Sequence, residues 1–470
     1  MNALTELSLT SLAAGMRAGA FSSRDIVEAC LRRIDALDPQ LNAFLRVESE
    51  AALIEAEACD RELAAGKPRG PLHGLPVAIK DIIDVAGMAT TGHSRITIAE
   101  CAQEDAFVVQ RLRSAGAIIL GKTALHEFAT GGPSFDLPWP PARNPWNPAH
   151  HPGGSSSGSG AAVASGMAPA ALGTDTAGSV RHPATACGIV GMKPTYGAIS
   201  RHGVFPLAPS LDQVGPMTRT VADNALLFDA CLGHDPRDPT SMAAFEAASP
   251  SVGKDIRGLR IAVLEEFNAE ADGEILAAFD GALSLLKDLG AEVVPVTCPP
   301  VSLYNDCARL LIQAESFAVH KRWLAERALD YGWRARTKLL AGAFIDAGTF
   351  LQAQKERRRL TVALREATAG FDAALCVSSF HLPARIDDDD AIDRTYDRQA
   401  RIAFNLTGDP AIALSSGLSA SGLPLGLQIA SHPFHDATVY RIAAAYEAAC
   451  EGLVDSALQP WRRPAATEAL

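Results

Sequence analysis

Apolar residues recur every three to four positions at the start of the chain, and this period predicts helices. Thr10 or Ser11 caps a short helix ending near Gly19. Ser22 or Ser23 caps a second, with Ile26, Val27, Cys30, Leu31 and Ile34 on one face. Residues 48–65 form another amphipathic segment, closed by Gly66. The period then shortens to two. In Leu75–Asp81, Leu75, Val77 and Ile79 take one face of a strand, and Ala78 and Lys80 the other. A helix over 105–115 ends at Gly116, a strand covers 117–121, and a short helix is expected at 123–129. Residues 187–220 are dense in Gly and Pro, and a helix follows at 221–232. Strand 259–264, helix 273–289 and strand 291–296 make a βαβ-like unit. A helical zone spans 303–369, strands are expected at 373–377, 410–415 and 425–430, and Asp436 caps a last helix. No internal repeat of 20–50 residues is present.

Three segments do not follow either period. Residues 131–152 hold seven prolines and two tryptophans, too aromatic for a spacer and suited to a rigid pocket wall. Residues 151–183 open with four glycines and four serines packed after His151–Pro152, continue through an Ala-rich run, and close on Gly173–Ser179, a second Gly-rich turn. A flexible linker has this composition, but the helix-forming Ala161–Ala164 and the sharp stop at Val180–Pro183 argue for a site built from amides and hydroxyls. The third is Asp387–Asp390, read as a solvated loop, since adjacent carboxylates cannot all face one ion. The adjacent pair His150–His151 is no better a metal site, because neighbours in extended chain point apart.

Composition narrows the function. The chain has 470 residues, 48% hydrophobic and 20% charged, enough to bury a sizeable core. Its net charge of −12 disfavours a phosphate backbone, so no direct nucleic-acid partner is expected. The first residues lack a signal-peptide pattern, and no run approaches the ~20 apolar residues of a membrane span. Nine scattered cysteines without a CxxC pair fit reduced, buried thiols and a cytoplasmic setting.

A serine attacks a carbonyl only with a base in reach and donors for the oxyanion. No G-x-S-x-G appears in the strand–turn–helix context that the elbow of the Ser-His-Asp form requires. A buried lysine is the other base available, because desolvation disfavours its charged form. Taken alone, Lys80 is a surface residue that snorkels out of an apolar strand.

The spacing of Lys80, Gly153–Ser159 and Gly173–Arg181 resembles the amidase signature family, as do Arg143–Pro148, Gly188–Thr195, Ser210–Pro216 and Gly422–Gln428. The match is strong from about 70 to 220 and weaker between 235 and 370. The resemblance implies a Ser–cis-Ser–Lys triad. Ser179 is then the nucleophile, Ser155 the relay on a cis peptide bond, and Lys80 the base. It also implies an oxyanion hole from the N–H groups of Thr176, Ala177, Gly178 and Ser179, braced by Asp175 and Arg181. Ala177 and Ser157 stand where the family often has glycine; Ala177 fits only with negative φ. Ser156, Ser157 and Ser159 would hydrogen-bond the loop.

The implied fold is α/β, a single large domain with a central mixed β-sheet flanked by helices on both faces. Its parts are N-terminal helices at 1–66, a signature core at 67–233, a variable substrate-side region at 234–370 and a C-terminal part of the core at 371–470. The expected activity is hydrolysis of a carboxylic amide, carbamate or anilide of a small molecule, with no metal or organic cofactor. Phe128, Phe135 and Trp139 are candidates for the substrate pocket. The alternative is the A subunit of a glutamyl-tRNA(Gln) amidotransferase, against which the Pro133–Pro141 segment and Ser378–Ser379 weigh. A binding protein with a degenerate signature is disfavoured by intact Lys80, Ser155 and Ser179. The natural substrate, a homodimer and the need for a partner protein stay open.

Overall fold

Strands with both faces apolar need cover on both sides, and here they find it. The computed structural model describes residues 3–450 apart from Ala244; the last twenty positions of the expected C-terminal part, 451–470, lie outside the described residues. Its eleven strands are β1 (Phe44–Val47), β2 (Pro76–Lys80), β3 (Ile118–Thr123), β4 (Ala170–Asp175), β5 (Val190–Lys193), β6 (Gln213–Thr218), β7 (Arg260–Leu264), β8 (Glu292–Val296), β9 (Ala373–Val377), β10 (Ala411–Leu418) and β11 (Pro424–Ala430). They form one mixed sheet in the order β1-β3-β2-β4-β6-β5-β10-β11-β9-β7-β8. The α/β fold is therefore a single large domain around this sheet, with helices covering both faces. The βαβ unit expected at 259–296 supplies its far edge, where β7 and β8 pair in parallel.

Local chemistry explains several helix starts. The helix Ser23–Leu41 starts with a capping box between Ser22 and Asp25. The helix Leu9–Arg17 is capped by Ser8, just before the expected Thr10 or Ser11. The helical zone resolves into Val301–Arg327, Trp333–Ala341 and Ala347–Ala367.

Some elements differ from expectation. β5 and β6 lie in the stretch read as dense in Gly and Pro, β4 runs from the Ala-rich segment into the second Gly-rich turn, and β1 lies where no element was expected. The short helix expected at 123–129 is instead the end of β3 and a single 3₁₀ turn, Glu127–Ala129. Phe128 and Ala129 take φ of 46° and 63°, which a helix cannot accommodate. Val180–Pro183, read as a stop, begins the helix Arg181–Cys187. Pro183 sits in its first turn, where a missing N–H costs nothing.

Candidate active site

β2 and β4 run parallel with Ile79 opposite Leu172, so Lys80 and Thr174 emerge at the same end of the sheet. All five residues of β2 are buried, and Lys80 is 0% exposed. An interior strand covered on both faces leaves the lysine no route to water, which is why the surface reading fails. Its Nζ lies 2.8 Å from Ser155 Oγ and 2.7 Å from Thr174 Oγ1. Burial lowers the Lys80 pKa to about 7, against the opposing pull of the Asp175 and Asp212 carboxylates. A lysine in this state can take up a proton near neutral pH.

Ser155 reaches Lys80 from the Gly-rich segment. The Gly154–Ser155 peptide bond is cis, and Ser155 O accepts a hydrogen bond from His126 N at 3.0 Å. The following helix, Ser157–Ala164, packs against β4. Ser156 Oγ donates to Thr174 O and accepts from Thr174 N, both at 3.2 Å. Ser159 Oγ donates to Leu172 O at 3.0 Å and pairs with Thr123 Oγ1 at 2.8 Å. These two serines thus hold the loop to the sheet.

The second Gly-rich turn leaves β4 at Asp175. That carboxylate accepts from Gly178 N at 2.7 Å, Val180 N at 3.1 Å, the Arg181 guanidinium and Asn405 Nδ2 at 2.8 Å. Burial alone would raise its pKa, but the adjacent Arg181 cation and these donors hold it well below the usual carboxylate range. Arg181, also 0% exposed, continues to Gln428 and Asn405. The turn is clamped from below. Gly178 has φ 109°, and a Cβ there would stand 2.8 Å from Arg401. Ala177 keeps a negative φ, the condition its substitution for glycine required.

One expectation is corrected by these bonds. Gly178 N–H is already committed to Asp175 and does not point toward an incoming carbonyl. The N–H groups of Thr176, Ala177 and Ser179 donate to no acceptor among the described residues.

Ser155, Ser179, Thr176 and Ala177 all line one cavity of about 380 Å³. Its walls also include Ala129–Gly132, Leu207, and the helical residues Asn305, Ile312, Gln313, Ser316 and Thr337. The pocket expectations do not hold. Phe128 is fully buried among Phe205, His320 and Tyr331, its ring 4.6 Å from that of His320. Phe135 is 56% exposed to solvent. Trp139 packs edge-on against His93 and borders a separate surface hollow with Ile34 and Phe44. The proline-rich loop therefore turns away, and only its first residues reach the cavity. Sequence reasoning missed His126, Tyr396 and Gln399 in this wall, and Arg401, Asn405, Gln428 and Asp212 behind the turn. Asp212 and Gln428 fall within the Ser210–Pro216 and Gly422–Gln428 matches without a role attached to them; no period or motif marked the others, because each arrives from a distant element.

A metal is not needed to complete the geometry. The one His/Cys/Glu cluster among the described residues is Cys59, Glu62 and His73. There His73 Nδ1 and Nε2 are taken by Arg69 N and Cys59 O.

The sequence profile of the Amidase family matches residues 25–440. The A subunit of glutamyl-tRNA(Gln) amidotransferase from Nocardia farcinica is 38% identical over 485 aligned residues, covering 96% of this chain and 99% of that protein. The native peptide amidase of Stenotrophomonas maltophilia superimposes with a TM-score of 0.85 at 31% identity, covering 94% of this chain and 96% of its own. A bacterial aryl acylamidase of the amidase signature family gives a TM-score of 0.89 at 26% identity, covering 97% and 99%. With a family match across most of its length and Lys80 meeting Ser155 at the end of β2, this chain belongs to the amidase signature family and is an amide-hydrolysing enzyme.

Proposed function

We propose that the enzyme cleaves a carboxylic amide through an ester formed on Ser179. The observation that carries this reading is the buried Lys80 Nζ, 2.8 Å from Ser155 Oγ, in the cavity wall that Ser179 shares. Ser179 Oγ bonds to the amide carbon while its proton passes to Ser155, whose own proton goes to Lys80. The oxyanion is held by the N–H groups of Thr176, Ala177 and Ser179. Losing one such donor raises a barrier by about 3–4 kcal/mol. Lys80 then returns a proton through Ser155 to the nitrogen, the C–N bond breaks, and ammonia or an amine leaves. Water hydrolyses the ester by the same relay, restoring Ser179. Asp175 and Arg181 shape the turn and take no part in proton transfer. The residues present supply base and electrophile without a cofactor.

The relatives favour the A subunit of the amidotransferase over a stand-alone hydrolase as the setting for this chemistry. The identity runs almost end to end in that protein, and it outweighs the Pro133–Pro141 segment and Ser378–Ser379. The glutamine side-chain amide is then the substrate, and the ammonia serves a partner protein. A stand-alone amidase is the second reading, supported by the superposition on an aryl acylamidase at a TM-score of 0.89 and by the apolar Leu207, Ile312 and Ile402 in the cavity.

The test offers the purified protein glutamine, simple carboxamides and anilides, alone and with candidate partner proteins. Ammonia release from glutamine is expected, lost by about 10³-fold or more in Lys80→Ala and Ser179→Ala. Undiminished turnover in both variants sinks the relay. Fast anilide cleavage without glutamine turnover decides for the stand-alone enzyme.

A further inference from the structure

The relay leaves one part of the cavity wall without a task. His126 is 4% exposed, lines the cavity, and its Nε2 is buried with no hydrogen-bond partner among the described residues. Its ring lies directly against Gly154: a Cβ there would come within 2.0 Å of His126 Cε1. Tyr396 lines the same cavity with its ring 5.5 Å from that of His126, and its Oη is likewise buried without a partner. Unpaired polar atoms inside a fold cost about 1–3 kcal/mol each, and two at the edge of one cavity mark a place where a bound molecule pairs them.

The position says which part of that molecule. Ser155 delivers the proton to the departing nitrogen, so that nitrogen lies within reach of Ser155 Oγ. Groups flanking the Gly154–Ser155 bond flank the nitrogen too, while the free amides of Thr176, Ala177 and Ser179 take the oxygen side. As the carbon becomes tetrahedral the nitrogen must aim its lone pair at Ser155, and an acceptor for its remaining N–H fixes that orientation. Resting on the serine–lysine reading, we propose that His126 is the leaving-group contact: its imidazole accepts a hydrogen bond from the N–H of the scissile amide, restricting the enzyme to amides that retain an N–H. The imidazole takes no proton in this step; the proton that completes the amine still comes from Lys80 through Ser155. Burial, with lesser contributions from His151 and Lys80, keeps the His126 pKa well below its ordinary value, so an acceptor nitrogen is present throughout the neutral range.

The experiment compares three reactions in wild type, His126→Leu, His126→Asn and His126→Gln. These are hydrolysis of L-glutamine and benzamide, hydrolysis of γ-methyl L-glutamate and methyl benzoate, and labelling of Ser179 by a fluorophosphonate. Neither the esters nor the fluorophosphonate has a leaving N–H. Amide kcat/KM is expected to fall about tenfold or more in the Leu and Asn variants. Ester turnover and labelling stay within about threefold in both. Gln, whose carbonyl reaches the Nε2 position, recovers amide turnover. Equal losses in all three reactions, or undiminished amide cleavage, overturn the assignment. A wild-type protein that the fluorophosphonate does not label overturns the serine–lysine reading itself, a separate outcome.

Discussion

Lys80 shows how a single residue changes meaning with its surroundings. On a strand read in isolation it is a solvated cation. Between two covered sheet faces it is a buried amine with a pKa lowered to about 7, the state the proposed base requires. Only the neutral form accepts a proton, and the neutral fraction grows as pH rises through that value. Activity is therefore expected to climb from pH 6 to about pH 8 and then level, measured where chemistry limits turnover. A flat profile between about pH 6 and pH 9 contradicts the role. The residues proposed to react were legible because the family's motifs mark them. Gly178 was not: its N–H is spent on Asp175, and a sequence does not show which amide of a turn is already bonded. His126 escaped for a similar reason. It sits in a segment whose apolar pattern suggested a short helix, and its meaning comes from Gly154, which folding alone brings beside it.

Among the elements, those with a clear period were read well and those crossed by glycine and proline were not. The βαβ unit at 259–296 and the helices of 303–369 follow their hydrophobic patterns. β5 and β6 carry Gly191, Gly215 and Pro216, residues that punctuate loops elsewhere, and they are strands here because the sheet's centre pairs them on both sides. What binds these elements at the site is buried charge. Asp175 ends β4 and holds the turn, Arg181 and Asn405 together. Asp175→Ala leaves Arg181 as an uncompensated buried cation, so a loss of about 3–5 kcal/mol is expected in chemical denaturation. A change within experimental error would show that the clamp is dispensable. A second tie joins the cavity wall to the helix Trp333–Ala341. Glu127 accepts from Ser94 Oγ at 2.5 Å and from Gly332 N at 2.8 Å. Burial raises its pKa to about 7. The folded protein therefore holds this proton more tightly than the unfolded chain, and ionising Glu127 costs stability as pH rises from about 4.5 through 7. Glu127→Gln removes that cost: its melting temperature is expected to exceed wild type at pH 8 and to match it near pH 4.5. A pH-independent difference contradicts this assignment.

For the whole molecule, charge and architecture point the same way. The net charge of −12 makes direct binding of a polynucleotide unfavourable, which agrees with the proposal of a small amide as substrate. Among the described residues no helix is long and apolar enough to cross a membrane. The division between stand-alone enzyme and member of a complex was not legible, since both keep the same sheet and the same serines, and the cavity wall that separates their substrates is assembled from helices whose side-chain directions no sequence pattern reveals. The claim common to both is an ester on Ser179 made possible by Lys80. Its most direct measurement is peptide-resolved mass spectrometry of the protein quenched during amide turnover, in wild type and Lys80→Ala. An acyl adduct on Ser179 of wild type, absent or slowed by orders of magnitude in Lys80→Ala, is the result predicted. An adduct on another residue, or one that forms on Ser179 equally fast without the lysine, would contradict the account.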